Sequence, residues 1–257
     1  MSLPLSSALA SRFEQLPECG STNSELAARA VQGWPDFSVL LTTNQTAGRG
    51  RLDRVWVAPP GQTLAVSVLL RPTVPVDTFS WLPLIAGLAM ARAVAEAVPF
   101  RVALKWPNDV LVDGLKVSGL LAELLPAADG VVVGAGLNLT IAADGLPTPK
   151  STSLILKGAD PDRLLERSLT AYLRELRGLY SAFTEHGGDA EASGIRQQLL
   201  KGCGTIGQRV RVELPDGSTE YGHATGIDDI GRLLYQREPD GSLQAVAAGD
   251  VTHVRYE

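Results

Sequence analysis

The hydrophobic pattern of this chain changes abruptly near Gly204, and this change constrains the fold more than any other feature. Before it, helical periods alternate with apolar, strand-like runs. After it, short alternating runs are separated by turn residues, as in Pro215-Asp216-Gly217 and Pro239-Asp240-Gly241. Five short strands within about fifty residues are typical of a small barrel or sandwich. We therefore predict two domains, over residues 1–203 and 204–257.

The region before Gly204 combines helices with strands, which favours the α+β class. One helix is predicted over residues 23–32, because Thr22 and Glu25 have capping-box spacing and Gly33 can end the helix. Further helices are predicted over residues 79–97, 161–184 and 190–200, and strands over residues 37–43, 63–70, 101–106, 109–112, 116–125 and 131–139. Short connections between consecutive strands predict a mixed, mostly antiparallel sheet.

Composition excludes several classes of protein. The net charge of −5 gives no general reason to bind nucleic acid. Two cysteines and three scattered histidines predict neither a disulfide framework nor a dedicated metal site. The apolar tract over residues 81–98 is interrupted by Arg92 and Glu96, which is typical of a core helix and not of a membrane span. The N-terminus does not resemble a signal peptide, so we expect a cytoplasmic protein with no membrane or nucleic-acid partner.

A basic, glycine-containing loop lies between two of the predicted strands. It reads Gly48-Arg49-Gly50-Arg51 and continues to Arg54 and Trp56. Glycine allows main-chain N–H groups to approach an anion closely, and arginine offers forked donors to phosphate or carboxylate. The loop can therefore close over a phosphorylated ligand, although a solvated basic turn would have the same sequence.

Two other glycine patterns fail as nucleotide-binding motifs. Residues 114–119 have the spacing of a P-loop, but Leu120 and Leu121 stand where lysine and serine or threonine are required. Residues 134–136 begin a Gly-x-Gly after a strand, but Leu139 replaces the third glycine and no helix follows. Neither a P-loop nor a Rossmann fingerprint is predicted.

Three further polar segments are candidates for chemistry. Lys105-Trp106-Pro107-Asn108-Asp109 follows an apolar strand, and Pro107 fixes the backbone so that neighbouring side chains diverge. Lys116 interrupts an apolar run, so it lies either on the wet face of a strand or in a pocket. Ser21-Thr22-Asn23 precedes the first predicted helix and can be an N-cap alone. Taken singly, each segment also has a purely structural interpretation, including a surface pair of Lys105 with Asp109.

Together and in this order, the motifs STN, QTAGRGR with a following Trp56, KWPNDVLV, GLKVSGLLAEL and VGAGLNL resemble those of the biotin protein ligases. The resemblance covers residues 21–139 by motif, and the strand-rich end resembles that family's C-terminal domain. It implies a catalytic domain similar to the class II aminoacyl-tRNA synthetases, followed by an SH3-like barrel. Some members carry an N-terminal helix-turn-helix, but here STN begins at residue 21, so we expect the form without a DNA-binding domain.

The resemblance implies a two-step reaction with ATP, biotin and Mg²⁺. Biotin is activated to biotinyl-AMP and then transferred to a lysine of a biotin carboxyl carrier domain, as in acetyl-CoA or pyruvate carboxylase. It also allows a homodimer, because some relatives pair through a sheet edge. By motif, the implied biotin contacts are Ser21, Thr22, Asn23, Gln45, Arg49, Gly50, Arg51 and Lys116; the ATP contacts are Arg51, Arg54, Trp56, Asn108 and Asn138; the catalytic residues are Lys116, Arg51, Asp109 and Lys105. Mg²⁺ is expected with the phosphates and not at a dedicated protein site.

Transfer requires a neutral amine on the carrier. A lysine with a pKa of about 10.4 is almost entirely protonated at neutral pH, so a nearby carboxylate has to accept its proton. Asp109 is the candidate general base by its place in the KWPND motif, with Lys105 stabilising the leaving phosphate. The loop departs from the common GRGRxGRxW pattern, because Asp53 puts a negative charge beside Arg54.

Two alternative functions remain at this point. A lipoate ligase or octanoyl transferase shares the fold and also acylates a carrier lysine, but those relatives lack this form of the GRGR loop. A biotin sensor would bind without chemistry, and the presence of Lys105, Asp109 and Lys116 argues against it.

Overall fold

A seven-stranded sheet forms the centre of the larger domain in a computed structural model that describes residues 2–51, 54–56, 59–214, 217–238, 240–247 and 250–253. Along the chain its strands are β1 (Arg12–Gln15), β2 (Ser38–Thr42), β3 (Thr63–Leu70), β4 (Val102–Lys105), β5 (Asp109–Val112), β6 (Leu115–Leu124) and β7 (Val131–Asn138). Their order in the sheet is β1-β2-β3-β7-β6-β5-β4. Among the described strands of this sheet, β1 and β2 pair in parallel and all other neighbours pair antiparallel. The expected α+β class with a mixed, mostly antiparallel sheet is therefore confirmed.

The helices cover both faces of this sheet. They are α1 (Pro4–Ser7), α2 (Thr22–Val31), α3 (Leu82–Ala97), α4 (Leu164–Glu185) and α5 (Ile195–Gly202), with 3₁₀ turns at Val76–Trp81, Ala143–Gly145 and Ile155–Lys157. Every residue of β3 is buried, and successive side chains of a strand point to opposite faces. Val66 and Val68 pack in the core that contains α3, whereas Leu69 packs with Leu26 of α2. A strand covered on both sides in this way has an almost continuous apolar sequence.

The apolar tract around α3 is the central helix of the core. The segment Val76–Ala97 is long and apolar enough to cross a membrane, but most of it is buried within the protein. Trp81, at the N-cap of α3, is 1% exposed, and α3 packs on α4 and on the sheet. The apolar composition of the segment therefore reflects burial over most of its surface.

A second, five-stranded antiparallel sheet follows α5. Its strands are β8 (Arg209–Glu213), β9 (Thr219–Ile227), β10 (Leu233–Arg237), β11 (Leu243–Val246) and β12 (Asp250–His253), in the order β11-β10-β9-β8-β12. β8 and β9 alternate between exposed or half-buried and buried positions. This alternation is expected when one face of a sheet covers a core. The sheet agrees with the expected small SH3-like domain.

The predicted capping box at the start of α2 was wrong. Ser21 and not Thr22 occupies the N-cap position, and the Ser21 side chain makes no capping bond. The Thr22 hydroxyl instead donates to Oε1 of Gln45 at 3.2 Å. The Thr22 side chain thus forms a tertiary hydrogen bond in place of the helix-capping bond that the local spacing predicted.

Several element boundaries also differ from the prediction. The short elements α1 and β1 were not predicted, because four residues carry too little periodicity. α5 begins at Ile195 and not near residue 190, because Gly194 has a left-handed conformation with φ of 70°. A left-handed residue interrupts a right-handed helix, so the turns over residues 190–193 do not join α5.

Candidate functional site

One pocket of about 300 Å³ opens where the start of α2, the loop after β2 and strands β5 to β7 meet. All the side chains and glycines that the motifs had singled out line it, although they are dispersed over more than a hundred residues of sequence. They are Ser21, Thr22, Asn23, Gln45, Arg49, Gly50, Arg51, Arg54, Trp56, Lys105, Asn108, Asp109, Lys116 and Asn138.

Hydroxyl and amide groups form one end of the pocket. Oε1 of Gln45 accepts from the backbone N–H of Thr22 at 2.9 Å and from its hydroxyl. The Ser67 hydroxyl of β3 lies 2.8 Å from Oγ1 of Thr22. Cys19 pairs with Gln45 through an isolated bridge, and burial raises the pKa of its thiol, so the thiol is protonated. This end presents neutral hydrogen-bonding groups on a backbone fixed by the sheet.

Hydrogen bonds of Arg49 and Arg51 hold the basic loop against the rest of the protein. Nη1 of Arg51 donates to Oδ1 of Asn108 at 3.0 Å, and Nη2 of Arg49 donates to Oε2 of Glu123 at 2.9 Å. The loop closes on itself, because the N–H of Trp56 donates to the carbonyl of Gly48 at 3.0 Å. A Cβ atom at position 48 would lie 2.5 Å from Nε2 of Gln45, so only glycine fits there. Asp53, the departure from the common motif, lies outside the described residues together with Leu52.

The indole of Trp56 lies over two glycines that face one another on β6 and β7. Gly119 and Gly136 are register partners, and a Cβ atom at Gly136 would lie 2.4 Å from Cε2 of Trp56. Nζ of Lys116 is 5.8 Å from the centroid of the ring, which is within cation–π range. The Nε1 atom of Trp56 is buried and has no hydrogen-bond partner among the residues that the structure describes. A flat ring is thus placed across the floor of the pocket.

Opposite charges meet beside this ring. Nζ of Lys116 is 2.6 Å from Oδ1 of Asp109, and both side chains are partly exposed to the pocket. Lys105 lies opposite Asp109 in the β4–β5 register. Nδ2 of Asn108 donates to the Leu120 carbonyl at 2.9 Å, so the KWPND segment is fixed to β6. Lys105, Asp109 and Lys116 all line the pocket, which therefore holds two lysines beside one carboxylate.

Asn138 is the last residue of β7 and also lines the pocket. It is 3% exposed, and its Nδ2 donates to the carbonyl of Thr152 at 2.9 Å. That bond holds the segment 147–151, in which Pro147, Thr148 and Ser151 also line the pocket. These lining residues are not predictable from the sequence, because no polar pattern distinguishes them from an ordinary loop.

Two further polar residues near the pocket were not predicted. Ser67 is fully buried, and its hydroxyl donates to Oδ1 of Asn23 at 2.6 Å. Glu123 accepts from Nδ2 of Asn23 at 2.7 Å. A serine inside the otherwise apolar strand β3 was a signal in the sequence, since a buried hydroxyl needs a hydrogen-bond partner.

Comparisons with known proteins match both parts of the chain. Residues 19–138 match the Biotin/lipoate A/B protein ligase family, and residues 205–254 match the Biotin protein ligase C terminal domain. The chain is 42% identical to a biotin--[acetyl-CoA-carboxylase] ligase of Mycobacterium tuberculosis, over 95% of this chain and 90% of that protein. A ligase of the same description from Paracoccus denitrificans is 33% identical, over 92% and 98% of the two chains.

A solved structure shows the same fold. The biotin protein ligase of Aquifex aeolicus in complex with biotin and ATP superposes with a TM-score of 0.72 at 25% identity, over 96% of this chain and 100% of that one. The similarity thus spans both the sheet that carries the pocket and the smaller domain.

Proposed function

Because this chain belongs to the biotin protein ligase family, we propose that it activates biotin with ATP and transfers it to a lysine of a carboxylase carrier domain. The observation that carries this proposal is the pocket itself, where the motif residues meet in one cavity with a polar end and a basic end. The M. tuberculosis relative is named for acetyl-CoA carboxylase, which supports a biotin carboxyl carrier domain as the acceptor.

The polar end suits the ring of biotin. A ureido group has two N–H donors and one carbonyl acceptor, and a desolvated pocket has to satisfy all of them. Thr22 and Gln45 present a hydroxyl and an amide on fixed backbone, with Ser21 beside them. The dithiolane ring of lipoate has no N–H or carbonyl group with which these polar groups could exchange hydrogen bonds, so a buried polar pocket fits it poorly. The geometry therefore favours biotin over lipoate.

The basic end suits the adenylation step. A carboxylate oxygen of biotin attacks the α-phosphorus of ATP, the bond to the bridging oxygen breaks, and pyrophosphate leaves with its electron pair. Two anions have to approach one another, so fixed positive charge stabilises the transition state. We assign this role to Arg51 and Lys116, with Arg49 and Gly50 covering the carboxylate. Arg54, Trp56, Asn108 and Asn138 would bind the nucleotide.

Mg²⁺ would enter the pocket as part of the ATP substrate. Among the described residues no cluster of three histidine, cysteine or acidic side chains could hold a metal ion by itself. Asp109 and Asn108 are the pocket's oxygen donors near the basic end. The phosphates and water would therefore supply most of the ligands.

Transfer requires a base that becomes available after adenylation. Asp109 is bound to Lys116 in the structure, and an acyl-adenylate would attract Lys116 towards its phosphate. Asp109 could then accept the proton of the carrier lysine as its nitrogen attacks the acyl carbon and AMP leaves. Lys105 would stabilise the departing phosphate. All these side chains belong to one chain, so the proposed chemistry requires no second copy of the protein. The use of ATP as a substrate favours a cytoplasmic location.

Exchange of labelled pyrophosphate into ATP tests the activation step. We expect exchange with biotin and none with lipoate, in the absence of any carrier domain. Exchange with lipoate alone would reject biotin as the substrate. Absence of exchange with both acids, combined with measurable biotin binding, would support the sensor alternative.

The Asp109→Asn variant tests the transfer step. We expect it to bind pre-made biotinyl-AMP but to transfer biotin to a carrier domain about a hundredfold more slowly, as expected for loss of a general base. Asp113→Asn is the matched control, because Asp113 lies at the turn of the same hairpin and outside the pocket. Normal transfer by Asp109→Asn would show that another group is the base.

A further inference from the structure

The side chain of Asn23 lies across three neighbouring strands at a single level of the sheet. Ser67 of β3, Gly134 of β7 and Leu121 of β6 are register partners. The Ser67 hydroxyl donates to Oδ1 of Asn23, and Nδ2 of Asn23 donates to the Leu121 carbonyl at 3.1 Å. A Cβ atom at position 134 would lie 2.2 Å from Oδ1 of Asn23, so glycine is required under this side chain. Asn23 thus connects α2 to both strands that flank β7.

A single carboxylate oxygen joins this arrangement to the basic loop. Oε2 of Glu123 accepts from Nδ2 of Asn23 at 2.7 Å and from Nη2 of Arg49 at 2.9 Å. Arg49 also donates to the hydroxyl of Ser24, the residue that follows Asn23 on α2. Asn23 is 4% exposed, whereas the Glu123 side chain is 35% exposed. Glu123 therefore connects a buried amide to a loop at the rim of the pocket.

These bonds leave Asn23 with no N–H to offer a ligand. An amide has two N–H donors, and here they go to Leu121 and Glu123. The neighbouring Thr22 is linked to Asn23 through the Ser67 hydroxyl. Asn23 thus supports Thr22 from within the sheet, and its Oδ1 atom is the group that remains to accept a hydrogen bond from biotin, the contact that its motif implies.

We propose that Glu123 is a positioning residue for biotin binding, a conclusion that rests on the proposed biotin ligase function. Its carboxylate holds the Asn23 amide in one orientation and places Arg49 against the sheet. The polar end of the pocket and the basic loop would then already be aligned with one another when biotin binds. Preorganisation of this kind lowers the entropy lost on binding, so it increases affinity without touching the ligand.

Calorimetric titration of biotin into two variants tests this role. We expect Glu123→Ala to raise the Kd and the KM for biotin about tenfold, while the KM for ATP and the kcat at saturating biotin change by less than about twofold. Glu123→Gln should recover most of the affinity, because the amide oxygen can still accept from Asn23. A residue with only a general structural role would affect the KM values for both substrates.

A double-mutant cycle tests the link through the loop. Glu123→Ala and Arg49→Ala should each weaken biotin binding, and the double variant should lose less than the product of the two single effects. Independent effects would mean that Glu123 does not act through Arg49 and would overturn that part of the proposal.

Glu14→Ala provides the matched control. Glu14 also lies on a strand, forms an ion pair with an arginine and is exposed to a similar degree, but its partner Arg29 does not line the pocket, whereas Arg49 does. We expect its biotin Kd to equal that of the wild type. An unchanged Kd in Glu123→Ala would overturn the inference while leaving the enzyme a biotin ligase. Wild-type protein that did not bind biotin would reject the proposed function, and the inference with it.

Discussion

The cationic side chains of the pocket bind acceptors within the protein. Lys116 is paired with Asp109, Arg49 with Glu123, and Arg51 with the Asn108 amide oxygen. An anion entering the pocket would exchange partners with side chains that are already in place, so little reorganisation is needed. These three contacts are not equivalent. When the cation of an ion pair moves away it leaves a carboxylate behind, whereas Arg51 would leave only the neutral amide of Asn108. Lys116 and Arg49 would both leave a carboxylate behind, but of Asp109 and Glu123 only Asp109 lines the pocket, so Asp109 is the candidate base.

Replacement of Arg51 by glycine should weaken retention of the intermediate. Arg51 connects the basic loop to the KWPND segment across the pocket, so Arg51→Gly should let biotinyl-AMP escape and biotinylate lysines of unrelated proteins. Streptavidin blots of a mixture of a carrier domain and serum albumin would measure the selectivity. Asn108→Ala removes the acceptor of the Arg51 hydrogen bond but keeps the Arg51 charge. Escape of biotinyl-AMP from both variants would therefore assign its retention to the hydrogen bond between Arg51 and Asn108. Unchanged selectivity in Arg51→Gly would argue against a retaining role.

At the scale of elements, long periodic segments were predictable and short ones were not. The strand β3 and the helix α3 bury so much apolar surface that their sequences define them. β1 has four residues and depends on its pairing with β2, which sequence periodicity does not report. The site followed from motif order, but the row of Ser67, Gly134 and Leu121 depends on strand register. Register is a long-range property, so Glu123 could not be connected with Asn23 from sequence.

The glycine pair on β6 and β7 should be essential for seating Trp56. In Gly136→Ala the new methyl group would overlap the indole, and we expect the KM for ATP to rise about tenfold, because relieving such a clash costs about 1–3 kcal/mol. Gly119→Ala should have a smaller effect, since its methyl group meets the flexible end of Lys116. Urea unfolding would establish that both variants remain folded. Unaltered KM values in Gly136→Ala would show that the ring position is not important for nucleotide binding.

At the scale of the whole molecule, the smaller domain is hydrogen-bonded to the larger one beside the active site. Two buried indoles donate hydrogen bonds to the turn between β9 and β10. Nε1 of Trp81 donates to the carbonyl of Asp229 at 2.7 Å, and Nε1 of Trp106 donates to the carbonyl of Gly231 at 3.2 Å. Trp106 belongs to the KWPND segment, and its backbone N–H donates to the Thr205 hydroxyl at 3.0 Å. Residues of both domains therefore determine where Lys105 and Asp109 lie.

This contact predicts that two similar substitutions will affect catalysis differently. Trp81→Phe and Trp106→Phe each remove one buried indole donor to the same turn and leave a smaller ring in its place. Each should lower the free energy of unfolding by about 1–3 kcal/mol, measured by urea denaturation. Trp106→Phe should also slow pyrophosphate exchange and transfer, because the backbone between Lys105 and Asp109 loses a fixed point, whereas Trp81→Phe should keep wild-type rates where it is folded. Equal loss of activity in both variants would mean that the smaller domain affects the site only through overall stability.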